Sequence, residues 1–233
     1  MANTRNSKEL AAEFQKLIDK YDSVTCAASD VMLRLNGMYS SMRSMIGKDI
    51  RLAGTAVTVK TIAGDLSAVV YAIEHAEPGD MIVIDSHASE NTAFWGENIT
   101  RSAMNKGVIA AVVDGGVRDI EEIREIGFPV IAKGTCSNVG CMEGYGRINV
   151  PASVGGVVVK PQDIILIDGN GVVVVPLEEA EDVLAKTTKM METEENVSSK
   201  LKAGATIGQL INIDKIMNST FNYQERATGE DKG

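Results

Sequence analysis

The chain has 233 residues, 44% hydrophobic but only 4% aromatic, so its core must be built from Val, Ile, Leu, Ala and Met. A formal net charge of −9 excludes the basic footprint of a nucleic-acid binder, while leaving an acidic surface able to dock a basic protein. No run of about 18 apolar residues occurs, which excludes a membrane-spanning helix and any membrane partner read from one. The three cysteines, Cys26, Cys136 and Cys141, are odd in number and irregular in spacing. With no apolar signal region at the amino terminus, they point to a reduced, cytoplasmic chain.

Residues 7–21 read as an amphipathic helix, because Leu10, Phe14, Leu17 and Ile18 recur at helical spacing and Ser7 can cap the start. A second helix is expected over 25–35, with Asn36-Gly37 ending it. Asp30 inside it reads either as a solvated helix carboxylate or as a site-lining group. Residues 38–48, rich in Met and Ser, read as a loop or an interface segment. The β-branched run 52–62 reads as a strand, 66–76 as a helix and the apolar run 81–85 as a buried strand. A loop with His87 follows, over 86–94.

The segment 96–106 then leads to a short apolar strand, 108–113, a turn at Asp114-Gly115-Gly116 and a second helix start at Arg118-Asp119. Beyond it come a strand at 130–132 and a Gly-rich connection over 136–151. Three short strands are expected, over 152–160, 164–168 and 171–175, the last two joined by Asp168-Gly-Asn-Gly171. A long charged helix, 177–202, and a polar tail, 227–233, expected to be disordered, close the chain. The domain reading is an N-terminal helix over 1–24, one α/β domain over 25–204 and an extension over 205–233.

Chemistry concentrates at residues 96–119. The amides of Glu97, Asn98 and Ile99 open a helix, and exposed amides with a helix dipole behind them bind carboxylates or phosphates. Arg118 offers a planar fork matched to a carboxylate, and Asp119 offers hard oxygens suited to Mg²⁺ or Mn²⁺. Each also has a plainer reading, Asp119 as a helix cap, Arg118 as a surface residue and the glycine pair as a turn. His75 and His87 lack metal-ligand spacing, and Cys136 lacks a His partner and reads as an inert thiol.

The ordered motifs A-G-T-A-V-T-V (53–59), E-P-G-D-M-I-V-I-D (77–85), W-G-E-N-I (95–99), V-V-D-G-G-V-R-D (112–119), P-V-I-A-K-G-T (129–135) and G-V-V-V-V-P (171–176) resemble the RraA-like family. That family includes the 4-hydroxy-4-methyl-2-oxoglutarate/4-carboxy-4-hydroxy-2-oxoadipate aldolases. The resemblance implies an α/β fold, a single-domain β/β/α sandwich of the swivelling-domain type with a mixed sheet and a long C-terminal helix. It implies a homotrimer or homohexamer with sites at subunit interfaces. It further implies a class II aldolase using Mg²⁺ or Mn²⁺ that releases pyruvate from a small 2-oxo acid and decarboxylates oxaloacetate. In that frame Arg118 binds the pyruvyl group, Asp119 holds the metal mostly through water, and Gly96, Glu97, Asn98 and Ile99 supply backbone donors. Glu97 stands where the aldolases carry Asp, as base or water-orienting group. Glu194, with Glu192 and Glu195 nearby, is the match for a carboxylate contributed by a neighbouring subunit. The alternative within the family is a non-catalytic protein that binds a ribonuclease and restrains it.

Overall fold

The computed structural model describes residues 6–47 and 50–221, so the tail expected at 227–233 lies outside the described residues. The first elements are α1 (Ser7–Lys20), α2 (Val24–Val31), β1 (Arg43–Ser44), β2 (Leu52–Lys60), α3 (Ser67–Glu74) and β3 (Asp80–Asp85). Next come α4 (Glu97–Asn105), β4 (Ala110–Val117), α5 (Ile120–Ile126), β5 (Val130–Thr135) and β6 (Arg147–Ile148). After them run β7 (Ala152–Val154), β8 (Val157–Val159), β9 (Ile164–Asp168) and β10 (Gly171–Val175). Helices α6 (Ala180–Lys202), α7 (Ile207–Ile211) and α8 (Ile213–Phe221) follow. The described residues divide into two compact units between Thr188 and Lys189. No described helix is long and apolar enough to cross a membrane.

In the first unit, eight strands form one mixed sheet in the order β1-β5-β4-β3-β2-β9-β10, with β6 pairing β2 off this path. Strands β2, β3, β4 and β5 are parallel, and β1, β6, β9 and β10 add antiparallel pairs. The apolar runs explain why. Every residue of β3 and β4 is buried, as strands covered on both faces must be. On β9 and β10 the alternation is visible: Ile164, Leu166, Val173 and Val175 pack with Leu10, Phe14 and Ile18 of α1. Ile165, Ile167, Val172 and Val174 face the larger core with β3, β4 and the β7–β8 hairpin. Each fully buried side chain of this kind contributes about 1.5–3 kcal/mol. The result is the expected α/β architecture with a mixed sheet and a long C-terminal helix.

Asn6 rather than Ser7 caps α1, and α2 stops at Val31 instead of reaching residue 35. Three strand readings also change. The segment 152–160 is not one strand but the hairpin β7–β8, turned at Gly155 and Gly156 with φ of 58° and 81°. Two successive positive φ values make a primed turn, which Gly-Gly suits best. Residues 38–48 contain a short strand, β1, that pairs Arg43 with Ala132. Finally, Asp114-Gly115-Gly116 does not end β4. The strand bulges there and continues to Val117. The glycines serve close approach: a Cβ on Gly115 would lie 2.4 Å from Ser86 Oγ, and one on Gly116 would lie 2.7 Å from Cys136 Sγ. At the bulge Asp114 accepts from the Gly155 amide at 3.0 Å and pairs with Lys133 Nζ at 2.6 Å, tying the hairpin to the strand end.

The second unit is helical where described: the end of α6, then α7 and α8. Thr206 and Gln209 cap α7 reciprocally, Thr206 Oγ1 accepting from the Gln209 amide at 3.3 Å. Glu194 lies on the part of α6 in this unit.

Candidate active site

The extension of β4 sets the site. Residues 93–95 run alongside its end, with the Phe94 amide donating to Gly116 O at 2.9 Å and the Arg118 amide donating to Trp95 O at 3.0 Å. Trp95 is buried and stacked on Phe128, with ring centroids 5.9 Å apart. Its Nε1 donates to Thr100 Oγ1 at 2.7 Å, and that hydroxyl donates to Gly96 O at 2.9 Å. This buried chain fixes where α4 begins. Trp95 and Thr100 are therefore positioning residues. No periodicity in the sequence pointed to them, although Trp95 stands within a quoted motif.

Helix α4 opens at Gly96 with no side-chain cap. The Glu97 amide donates to Asp119 Oδ2 at 3.0 Å. The Asn98 and Ile99 amides take no protein acceptor among the described residues, so two donors at the positive end of a nine-residue helix remain available. Gly96 permits the approach: a Cβ there would meet Asp119 Oδ2 at 2.5 Å and Arg118 Cγ at 3.3 Å.

Asp119 sits before α5 in the left-handed region, φ 55° and ψ 45°, and its side chain does not cap the helix. A non-glycine residue there carries about 1–3 kcal/mol of strain, a cost found where surrounding structure enforces it, often at functional sites. Arg118 Nε lies 3.5 Å from Asp119 Oδ2, and each side chain keeps about a third of its surface exposed. Gly96, Asn98, Ile99, Arg118 and Asp119 all border one cavity of ≈ 170 Å³. That is small beside the ~300–1,000 Å³ of drug-sized sites, and admits only a small ligand. On its other side the Arg118-Asp119 pair borders an open groove of ≈ 700 Å³ with Cys136. Burial pushes the Cys136 thiol up, while a backbone contact with Asn138 and the Arg118 guanidinium pull it down less strongly.

Glu97 is placed differently from the rest. Its Oε1 accepts from Arg101 Nε at 2.9 Å on the outer side of α4, and its backbone rather than its carboxylate meets Asp119. His75 and His87 are both exposed and away from the cavity lining.

The donor set also bears on a divalent metal. Among the described residues no three His, Cys, Asp or Glu side chains gather to hold an ion. Asp119 Oδ2 is engaged by the Glu97 amide and Arg118, while Oδ1 has no hydrogen-bond partner among the described residues. One free hard oxygen beside a cavity suits an ion that keeps most of its waters, as Mg²⁺ does, and does not suit one that needs a full protein cage.

A family model described as RraA-like, Aldolase/RraA, matches residues 25–174. The chain belongs to the RraA-like family. It is 36% identical, over 171 residues, to a Halalkalibacterium halodurans protein named provisionally for 4-hydroxy-4-methyl-2-oxoglutarate aldolase activity. That match covers 73% of this chain and 81% of the relative. It is 34% identical to a 4-hydroxy-4-methyl-2-oxoglutarate aldolase of Thermus thermophilus, across 56% of this chain and 79% of that one. Its fold resembles Streptomyces coelicolor RraAS2, an unusual member of the RNase ES inhibitor RraA family, with TM-score 0.71 and 25% identity. There 82% of this chain and 96% of the other are covered.

Proposed function

We propose that this chain is a divalent-metal-dependent lyase that cleaves a small acidic 2-oxo acid by a retro-aldol reaction, releasing pyruvate, and that also decarboxylates oxaloacetate. One observation carries the reading. Two unpaired amides of α4, the Arg118 guanidinium and the Asp119 carboxylate border a single small cavity. The named aldolase relatives support the same reaction class.

In this account the substrate carboxylate lies against the Asn98 and Ile99 amides and the helix dipole behind them. Arg118 donates to the pyruvyl end and stabilises the negative charge that grows there as the carbon–carbon bond breaks. Asp119 would hold Mg²⁺ or Mn²⁺, which would supply Lewis-acid polarisation of the 2-oxo group. Glu97 is the base that takes the substrate hydroxyl proton, a role that requires its carboxylate to leave Arg101 or act through a water. The reading extends to a homotrimer or homohexamer in which a neighbouring copy contributes Glu194.

A second reading is a non-catalytic regulator of ribonuclease activity. The likeness to Streptomyces coelicolor RraAS2 favours it, as does a net charge of −9 that suits a basic protein partner. Pyruvate release from a panel of 4-hydroxy-2-oxo acids and oxaloacetate, with Mg²⁺ or Mn²⁺, separates the two. The lyase gives metal-dependent turnover of at least one acid; the regulator gives none.

A further inference from the structure

The cavity is not lined by polar groups alone. Leu66, Ala93, Trp95, Ile99, Val139 and Met142 give it an apolar wall. Val139 and Met142 remain 51% and 66% exposed, so burial does not hold them. Backbone bonds do. The Ala93 amide donates to Asn138 O at 2.7 Å, the Cys141 amide to Gly64 O at 2.7 Å, and the Leu66 amide to Cys141 O at 2.9 Å. The buried Asp65 carboxylate accepts from the Glu143 and Tyr145 amides at 3.1 and 3.2 Å. Gly140 allows this fit, since a Cβ there would stand 2.3 Å from Gly64 O. The main chain that carries two exposed apolar residues is thus held at the cavity edge, which marks a surface built for contact rather than for the core. Among the described residues lining the cavity, Arg118 is the only cation.

We propose that this wall receives an uncharged, alkyl-bearing C4 end of the substrate. The chain then prefers 4-hydroxy-2-oxo monocarboxylates with alkyl groups at C4 over dicarboxylates. The inference rests on the lyase reading and specifies its substrate class. A carboxylate pressed on this wall would lose water without gaining a partner, and that penalty is steep for a charged group. Arg118 and the helix amides are already engaged by the pyruvyl end. In the reaction the C3–C4 bond breaks and its electron pair passes to C3 as the pyruvate enolate. The C4 hydroxyl proton goes to the base as C4 becomes a ketone. Protonation at C3 completes pyruvate, and no co-reactant is consumed.

The test uses two acids that differ by one C4 substituent. 4-Hydroxy-4-methyl-2-oxopentanoate yields pyruvate and acetone; 4-hydroxy-4-methyl-2-oxoglutarate carries a carboxylate in place of one methyl and yields two pyruvates. With Mn²⁺ present, the full chain is expected to favour the monocarboxylate by roughly tenfold or more in kcat/KM, the scale of discrimination a hydrophobic pocket gives. Met142→Arg is expected to move the ratio towards the dicarboxylate by roughly tenfold, and Met142→Ala to lower kcat/KM for the monocarboxylate alone. Pyruvate release that favours the dicarboxylate overturns the inference and leaves the lyase reading standing. No pyruvate from either acid or from oxaloacetate overturns both.

Discussion

Gly96→Ala is the sharpest structural perturbation of the site. The backbone at Gly96 is extended, so alanine meets no conformational penalty and the effect is steric alone. Its Cβ would stand 2.5 Å from Asp119 Oδ2, against the 3.4 Å at which ordinary contact begins, so the carboxylate must move by about 0.9 Å. Rotation of Asp119 relieves the clash only by giving up the 3.0 Å bond from the Glu97 amide. A hydrogen bond to a charged group contributes about 1.5–3 kcal/mol. The partial exposure of Asp119 reduces that to about 1 kcal/mol. That corresponds to a fall in Tm of about 2–4 °C. Catalysis suffers more, because a misplacement of about 1 Å at the reacting groups costs on the order of 10²-fold, or about 2.7 kcal/mol of barrier. Steady-state pyruvate release and thermal unfolding of the same preparation measure both. Gly134→Ala, whose Cβ would meet nothing within 4 Å, is the matched control and should stay near wild type. A Gly96→Ala enzyme within about threefold of wild-type kcat/KM would refute the close-approach argument.

Glu97→Gln separates the two chemistries. As the base for the hydroxyl proton, Glu97 serves retro-aldol cleavage by about 10²–10⁴-fold, whereas oxaloacetate decarboxylation needs no such base and should survive better; equal loss of both removes Glu97 from that role. Arg118→Gln should lower kcat/KM by roughly 10²–10³-fold. The same change removes a charge that favours the Cys136 thiolate, so residue-resolved alkylation at Cys136 should slow at a given pH, and faster alkylation would contradict the placement of Arg118. Thr100→Val leaves the buried Trp95 Nε1–H without its acceptor and should cost about 1–3 kcal/mol in unfolding measurements; an unchanged Tm means that the hydroxyl chain does not fix α4. Burial raises Asp65, but bonds from Ser67, Tyr145 and Glu143 prevail and hold it below the usual carboxylate range. Its contribution is complete above the unfolded pKa of about 3.9 and is lost as pH falls through the lower folded value. Corrected exchange protection of the Glu143 and Tyr145 amides should therefore persist to about pH 4, and its loss by about pH 6 would rule out Asp65 as the anchor.

Much of this fold could be read from the sequence because its signals were local. Leu10, Phe14, Leu17 and Ile18 spell out α1, and the continuous apolar run of β3 announces a strand covered on both faces. The glycines were harder. Gly115 and Gly116 look like a turn, yet they are strand residues selected for the approach of Ser86 and Cys136, partners some 20 or more positions away in sequence. Gly155-Gly156, by contrast, is a genuine hairpin signal inside a run that reads as one strand. At the site, Arg118, Asp119 and the α4 amides were legible as types suited to an anion and a metal. That Glu97 would turn its carboxylate to Arg101 follows from the i,i+4 geometry of α4, visible once the helix start is fixed. Trp95, Thr100 and the Val139–Met142 wall have no local signature, since their roles arise from tertiary packing and backbone bonds between distant segments.

The central claim is that a metal held at Asp119 acts with Arg118 on a 2-oxo acid. Titrating Mn²⁺ or Mg²⁺ against pyruvate release, in wild type and in Asp119→Asn, tests it most directly. The asparagine oxygen keeps an acceptor for the Glu97 amide while removing the charge. The account predicts saturable metal dependence in the wild type and an apparent metal constant raised by roughly 10–100-fold in the variant, the range seen when a group holding a metal through its outer shell is lost. Metal-independent pyruvate release, or identical titrations for the two proteins, would contradict it.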